Sequence, residues 1–280
     1  MINIKNLSFA FKKGESLFND LDWSLEPGKT YGLLGLNGAG KTSLFNIISG
    51  MLFPKDGECT FEGEPVRSRS PQFLSELFIV PEQFELPAMT GDQYTELHAP
   101  FYPRFNEQLM ESALSELQVN SKKKISELSF GQQKKFLLSF ALATNTKLLL
   151  LDEPTNGMDI PSKSQFRKLQ ASLDQPDRCT VISTHQVRDL GSMLDHVTVL
   201  KDGKIIFNRS LDEIFEHLSF IKTDSENSKD YIYAEEILGG LHTIQSFKDE
   251  VRNDFDLELL FNGVIQQPDQ INKQFNGGIA

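Results

Sequence analysis

Apolar and polar positions alternate over Ile2, Ile4, Leu7, Phe9 and Phe11, and again over Leu21-Asp22-Trp23-Ser24-Leu25. This is the period-two pattern of strands with one covered face. Lys12-Lys13-Gly14-Glu15-Ser16 lies between the two runs and reads as a turn, so they form an antiparallel unit. Pro27-Gly28-Lys29 leads to a short buried strand, Tyr31-Gly32-Leu33-Leu34, and residues 42–48 then read as a helix. Gly50 ends that segment, and Pro54-Lys55-Asp56-Gly57 turns into a further strand over 58–61. Arg67-Ser68-Arg69-Ser70-Pro71 reads as a polar, solvated loop, and Leu77-Phe78-Ile79-Val80 as an apolar strand stopped by Pro81.

From about residue 84 to 144 the pattern changes. Strand-like runs give way to helical spacing, most clearly over 106–117, where 109, 110, 113, 114 and 117 are apolar. Lys122-Lys123-Lys124 reads as a solvated charge run. The β/α alternation then returns. Leu148-Leu149-Leu150-Leu151 is a continuous apolar run, as expected of a strand covered on both faces of a parallel sheet. Thr180-Val181-Ile182-Ser183 is a second such strand. Val197-Thr198-Val199-Leu200 and Lys204-Ile205-Ile206-Phe207 flank Lys201-Asp202-Gly203 as a closing hairpin. Beyond Ser210, Tyr231-Ile232-Tyr233-Ala234-Glu235-Glu236 and Leu241-His242-Thr243-Ile244 suggest a small hairpin around Gly239-Gly240. A terminal helix is expected near Asp256-Leu257-Glu258-Leu259-Leu260-Phe261 and a frayed end over 266–280. This tail could cap the core or form a dimer contact.

The expected architecture is α/β. A core with a mixed, largely parallel sheet carries an N-terminal antiparallel β-subdomain, an inserted helical subdomain and a small C-terminal extension. The expected divisions are 1–83, 84–144, 145–209 and 210–280. A chain of 280 residues is long enough for one large core plus an insertion. Its formal net charge of −11 argues against a nucleic-acid-binding surface. Cys59 and Cys179 stand in no metal or redox spacing and read as apolar fillers suited to a reducing compartment. The N-terminus shows no signal-peptide pattern, and the longest uncharged apolar run, 136–146, is too short for a bilayer. A soluble, cytoplasmic protein is expected.

Gly35-Leu36-Asn37-Gly38-Ala39-Gly40-Lys41-Thr42 fits G-x-x-x-x-G-K-[ST], a loop whose inward N–H groups cradle phosphates. Glycines 35, 38 and 40 allow the tight turn, and the following helix, with Ser43 in its first turn, directs its positive end at the anion. Lys41 would reach the β- and γ-phosphates, and the Thr42 hydroxyl would bind Mg²⁺. Asp152, at the tip of the leucine strand, can hold Mg²⁺ opposite Thr42. Glu153 can orient or deprotonate the water that attacks the γ-phosphate. Leu128-Ser129-Phe130-Gly131-Gln132-Gln133 opens a helix expected over 132–144, with Ser129 as its cap. A second anion-binding helix end in a chain that already has a phosphate loop suggests that it serves the nucleotide of another copy. Phe11 could stack on a base or simply join the core.

The loop 35–42, the 128–132 segment, the 148–153 strand end, Asn156-Gly157-Met158-Asp159 and His185 stand in this order and spacing. In this the chain resembles the ATP-binding subunits of ABC transporters over roughly residues 1–210. Phe101-Tyr102-Pro103-Arg104-Phe105, and Ile182-Ser183-Thr184-His185 followed by Asp195-His196-Val197-Thr198-Val199-Leu200, resemble in texture the ATPases of bacterial ABC-2-type exporters. The resemblance implies a P-loop NTPase fold, Mg²⁺-dependent ATP hydrolysis and a head-to-tail dimer with two ATPs at the interface. The second subunit would be another copy of this chain, docked on separate integral membrane subunits at the inner face of the cytoplasmic membrane. Ser129, Gly131 and Gln132 would meet the partner's nucleotide, and residues 156–159, with Asp159, would cross between subunits. His185 would hydrogen-bond the γ-phosphate, and Phe11 would stack on adenine.

Two positions depart from the family pattern. Phe130 stands where the signature usually has glycine, which matters only if the backbone there needs a positive φ. The glutamine that usually follows proline at the entry to the helical subdomain is replaced by Glu82, with Gln83 one residue later. Alignment favours Glu82, whereas chemistry favours Gln83 as the Mg²⁺ and water contact, and Gln83 is the expectation. The rival reading is a soluble ABC ATPase that remodels a cytoplasmic assembly without a membrane partner.

Overall fold

The computed structural model describes residues 1–12, 15–173, 175–187, 193–223, 231–247 and 254–275. Strands β1 (Ile2–Lys12) and β2 (Glu15–Leu25) pair antiparallel, with Lys12 opposite Glu15. Residues 13 and 14 of the expected turn lie outside the described residues. After β3 (Thr30–Leu34) and α1 (Lys41–Ile48) come β4 (Asp56–Phe61) and β5 (Glu64–Pro65). These two extend the first pair into a four-stranded sheet ordered β2-β1-β4-β5, wider than the pattern alone suggested.

Helix α2 (Pro71–Ser75) and β6 (Leu77–Val80) follow. A polar loop was expected at 67–71, but residues Val66–Ser68 form a 3₁₀ turn and α2 begins within that stretch. Ser70 caps α2 by accepting from the Phe73 N–H at 3.2 Å, and the Arg69 guanidinium donates to the Ser49 carbonyl at 2.9 Å. The arginine is therefore tied to the end of the α1 segment.

Between β6 and β7 (Leu148–Asp152) the chain is helical, with α3 (Gly91–His98), α4 (Glu107–Glu116) and α5 (Phe130–Ala143). Each starts on a side chain that accepts from a first-turn N–H: Thr90, Asn106 and Ser129. Helix α5 begins two residues earlier than expected. Phe140 pins this helical segment to the sheet, with its ring among Phe78, Tyr94, Tyr102 and Phe105 at centroid distances of 5.2–6.0 Å.

After β7 come α6 (Ile160–Ala171), β8 (Cys179–Thr184), β9 (His196–Lys201) and β10 (Lys204–Ser210). The central sheet is ordered β10-β9-β3-β8-β7-β6, parallel throughout except for the β9–β10 hairpin. The leucines of β7 divide between two cores. Leu149 and Leu151 face α5 and the helical segment, while Leu148 and Leu150 face α1 and the antiparallel sheet. Both cysteines are buried, and burial pushes each thiol up to about 12.

The tail forms α7 (Leu211–His217), a sheet of β11 (Leu218–Thr223), β12 (Tyr233–Ile237) and β13 (Gly240–Ser246), then α8 (Leu257–Gln266) and α9 (Pro268–Lys273). The expected β12–β13 hairpin and α8 are present, but the frayed end is not what is observed over 266–275. Pro268 opens α9, and Ile271 is fully buried beside Gly263. Residues 276–280 of that expectation lie outside the described residues. The Lys201 ammonium donates to the Ile265 carbonyl, and the Asn272 amide to that of Ile206, so this unit packs on β9 and β10.

Candidate ATP site

A cavity of about 450 Å³ opens at the carboxyl ends of β3, β7 and β8. This is where an open α/β sheet binds ligands. One wall is the 37–43 stretch of the loop and α1; Glu82, Asp152, Glu153 and His185 form another, and Phe11 with Leu17 flanks them. Gly38 and Gly40 have φ of 81° and 103°, the left-handed region glycine favours. Gly35 serves differently. A Cβ there would lie 2.7 Å from the Leu200 carbonyl oxygen, so the requirement is close approach. Gly40 caps α1 without a side chain, leaving the first amides of the helix to a ligand.

Lys41 is buried, and its ammonium donates to the carbonyls of Gly35 at 2.8 Å and Leu36 at 3.3 Å. Burial pulls its pKa below the usual lysine value, opposed by Glu153, Asp152 and Glu82. Leu36 itself is more than half exposed and outside the cavity wall.

The two acids are held by α1 and by residues at the end of β8. The Thr42 hydroxyl donates to Asp152 Oδ2 at 2.6 Å, and Ser183 Oγ donates to Asp152 Oδ1. Glu153 accepts from Thr184 Oγ1 at 2.9 Å through Oε2. Its Oε1 takes the His185 N–H at 2.9 Å and lies 2.7 Å from His185 Nδ1. A carboxylate can only accept, so the Nδ1 proton points at it and Nε2 is the ring's remaining polar atom. Glu153 is buried at φ 46°, a strained conformation for a residue with a Cβ. The pair Thr42 and Asp152 presents hydroxyl and carboxylate oxygens at one point, as Mg²⁺ prefers.

Gln83 is the residue the sequence points to, but the structure puts Glu82 in the cavity wall and leaves Gln83 exposed outside it. Glu82 Oε1 accepts from Asn156 Nδ2 at 3.1 Å, and Asn156 in turn accepts from Gln186 Nε2 at 3.1 Å. The hydroxyls of Ser183 and Thr184, and Leu17 beside Phe11, were not picked out from the sequence. The register Asp152 opposite Ser183 was the missing information.

Ser129, Gly131, Gln132 and Asp159 are not in the cavity wall. Ser129 is exposed and accepts from the Gln132 N–H at 3.4 Å, a long cap bond that leaves the hydroxyl available. Phe130 is helical with a negative φ, so the glycine usual there is not needed for backbone reasons. Asp159 caps α6 by accepting from the Ser162 N–H at 2.9 Å; the Ser162 hydroxyl and this bond lower its pKa.

A family model described as ABC transporter matches residues 18–156. The SkfA peptide export ATP-binding protein SkfE of Bacillus subtilis (strain 168) is 30% identical over 214 residues, 74% of this chain and 87% of that protein. The methionine import ATP-binding protein MetN of Carboxydothermus hydrogenoformans is 30% identical over 230 residues, 77% of this chain and 68% of that protein. The dimeric structure of MJ0796, a bacterial ABC transporter cassette, matches the fold with a TM-score of 0.65 at 24% identity, covering 75% of this chain and 99% of that one. With a phosphate loop, paired acids and a histidine gathered in one cavity, the chain belongs to the ABC transporter family as an ATP-binding and ATP-hydrolysing subunit.

Proposed function

We propose that this chain is the motor subunit of an exporter, working as a head-to-tail dimer of two copies docked on separate integral membrane subunits at the inner face of the cytoplasmic membrane. One observation supports the dimer: the cavity holds the groups that would grip and hydrolyse a triphosphate, while Ser129 is exposed and outside its lining. A helix N-terminus favours an anion, and in this reading a second copy's nucleotide supplies it. The export direction rests on the texture of residues 101–105 and 182–185.

In this reading the phosphates lie on the 37–43 stretch with Lys41 beside them, and adenine stacks on Phe11, which is 65% exposed. Mg²⁺ would be held by Thr42 and Asp152 and would neutralise charge on the β- and γ-phosphates; Glu82 is a further acid in the cavity wall. Glu153 takes the proton of the attacking water as its oxygen bonds to the γ-phosphorus and the bond to the β-bridging oxygen breaks, giving ADP and phosphate. His185 would keep the carboxylate aligned through its Nδ1–H, and its Nε2 would donate to the γ-phosphate only when that nitrogen also carries a proton.

Mixing inactive protomers tests the dimer. A Lys41→Ala chain combined with a Ser129→Ala chain forms heterodimers in which one site keeps both groups. Activity should return to at most about a quarter of wild type, since half the dimers are mixed and each has one intact site. No recovery on mixing would sink the head-to-tail arrangement.

The membrane partner is tested separately. Leu97 and Phe101 are 56% and 67% exposed beside a cleft between α2 and the end of α3, and we place a cytoplasmic segment of the membrane subunit there. Phe101→Asp should leave the ATPase rate of the isolated chain within about twofold, as a surface change remote from the site. It should also abolish co-purification of the membrane subunit from detergent extracts. Unchanged co-purification would remove this face from the interface.

A further inference from the structure

Lys134 lies in α5 and is fully buried, a location where lysine is rare. Its ammonium donates to the Glu153 carbonyl oxygen at 2.9 Å and to the Glu82 carbonyl oxygen at 3.3 Å, and stands 5.8 Å from the centre of the Phe84 ring. Both partners are main-chain oxygens. Burial lowers the lysine pKa, with Glu82, Asp152 and Glu153 opposing. A leucine or methionine would fill this space without desolvating a cation, so packing does not explain the residue.

What the lysine holds does explain it. Glu153 stands at φ 46°, and its peptide groups are fixed from both sides: its N–H donates to the Ser183 carbonyl at 3.0 Å, and its carbonyl receives Lys134. The same ammonium fixes the backbone of Glu82, the other acid that lines the cavity away from β7. At the start of α5, Phe130 stacks on Phe84 with centroids 5.2 Å apart and planes 15° off parallel. One rigid helix therefore carries the Ser129 edge at its cap and the clamp on the site's own acids about one turn later.

We propose that Lys134 is a positioning residue that fixes the backbones of Glu153 and Glu82 to α5, so that placement of the general base in each site follows the Ser129 edge of the same chain. The coupling between edges rests on the dimer reading above, whereas the clamp on Glu153 does not. Engagement of the Ser129 edge by a partner's nucleotide moves α5, and Lys134 passes that movement to the chain's own base.

Steady-state kinetics on Lys134→Met and Lys134→Gln decide the matter. Methionine keeps the length and loses the donor; glutamine keeps an N–H donor on a shorter stem. Lys134→Met should lower kcat about tenfold or more with KM for ATP within about twofold, because nucleotide contacts remain and only the base is displaced. Lys134→Gln should recover part of that kcat at the same KM, which a general loss of packing would not produce. Coupling between the edges should give the wild type a Hill coefficient for ATP above one, falling to one in Lys134→Met. Wild-type kcat in Lys134→Met, or a raised KM at unchanged kcat, overturns the clamp; if the methionine variant does not fold, the glutamine variant is judged by the same two criteria. A Glu153→Gln chain that stays monomeric with ATP defeats the dimer reading instead, and the kcat and KM values still judge the clamp.

Discussion

Replacing Glu153 with glutamine should cut ATP hydrolysis by about a hundredfold to ten-thousandfold, the usual worth of a positioned general base. Binding should survive. The glutamate is held by three donors: the Thr184 hydroxyl, the His185 N–H and the His185 Nδ1–H. A glutamine amide has one oxygen and one NH₂ group. The oxygen can take the two His185 donors, and the NH₂ can face Thr184, whose hydroxyl reverses to accept. The side chain therefore stays in place while losing its capacity to take a proton. The variant should bind ATP and accumulate as an ATP-dependent dimer by size-exclusion chromatography, with phosphate release near background. Release at the wild-type rate would show that another group is the base, with Glu82 the next acid in the cavity wall.

Phe140→Ala should give the largest loss of stability. The side chain is fully buried, and its neighbours Phe78, Tyr94, Tyr102 and Phe105 come from β6, α3 and the segment ahead of α4. Those groups sit on separate stretches of backbone and cannot all close on the gap. Truncating a buried phenylalanine costs about 3–5 kcal/mol, the lost transfer energy plus the remaining cavity. For a chain of this size that lowers the thermal midpoint by roughly 10 °C. Ring stacking beyond area burial adds to the cost. A scanning calorimetry trace within about 2 °C of wild type would mean the cluster repacks, which the geometry does not allow for easily.

Much of the site could be read from residue order because its chemistry depends on local backbone. The 35–42 loop needs glycines at fixed offsets, and Ser129 caps a helix by its own short-range hydrogen bond. The leucine strand announces itself by lacking any polar position over 148–151. What stayed hidden depends on which strands become neighbours. Ser183 and Thr184 look like ordinary β-formers until β8 is set parallel to β7 in its observed register. Glu82, and not the expected Gln83, lines the cavity, and side-chain chemistry alone does not tell which of two adjacent residues faces inward. Helix α9 was missed because a polar run contains a single buried apolar residue, Ile271, too little to produce a periodic signal.

The four leucines of β7 serve two cores alternately, and that has a consequence for how errors in this strand would show themselves. A strand equally greasy on both sides has no preference for one face, so hydrophobicity does not oppose a slip by one residue. What anchors the strand lies at its margins: the Leu148 N–H on the Glu76 carbonyl, the Lys147 carbonyl under the Cys179 N–H, and Asp152 tied to Thr42 and Ser183. Deleting one leucine would thus leave a chain that folds and buries its interior almost as before. Its acid would be displaced along the strand by about 3.3 Å, far enough to silence ATP hydrolysis while leaving the molecule outwardly sound.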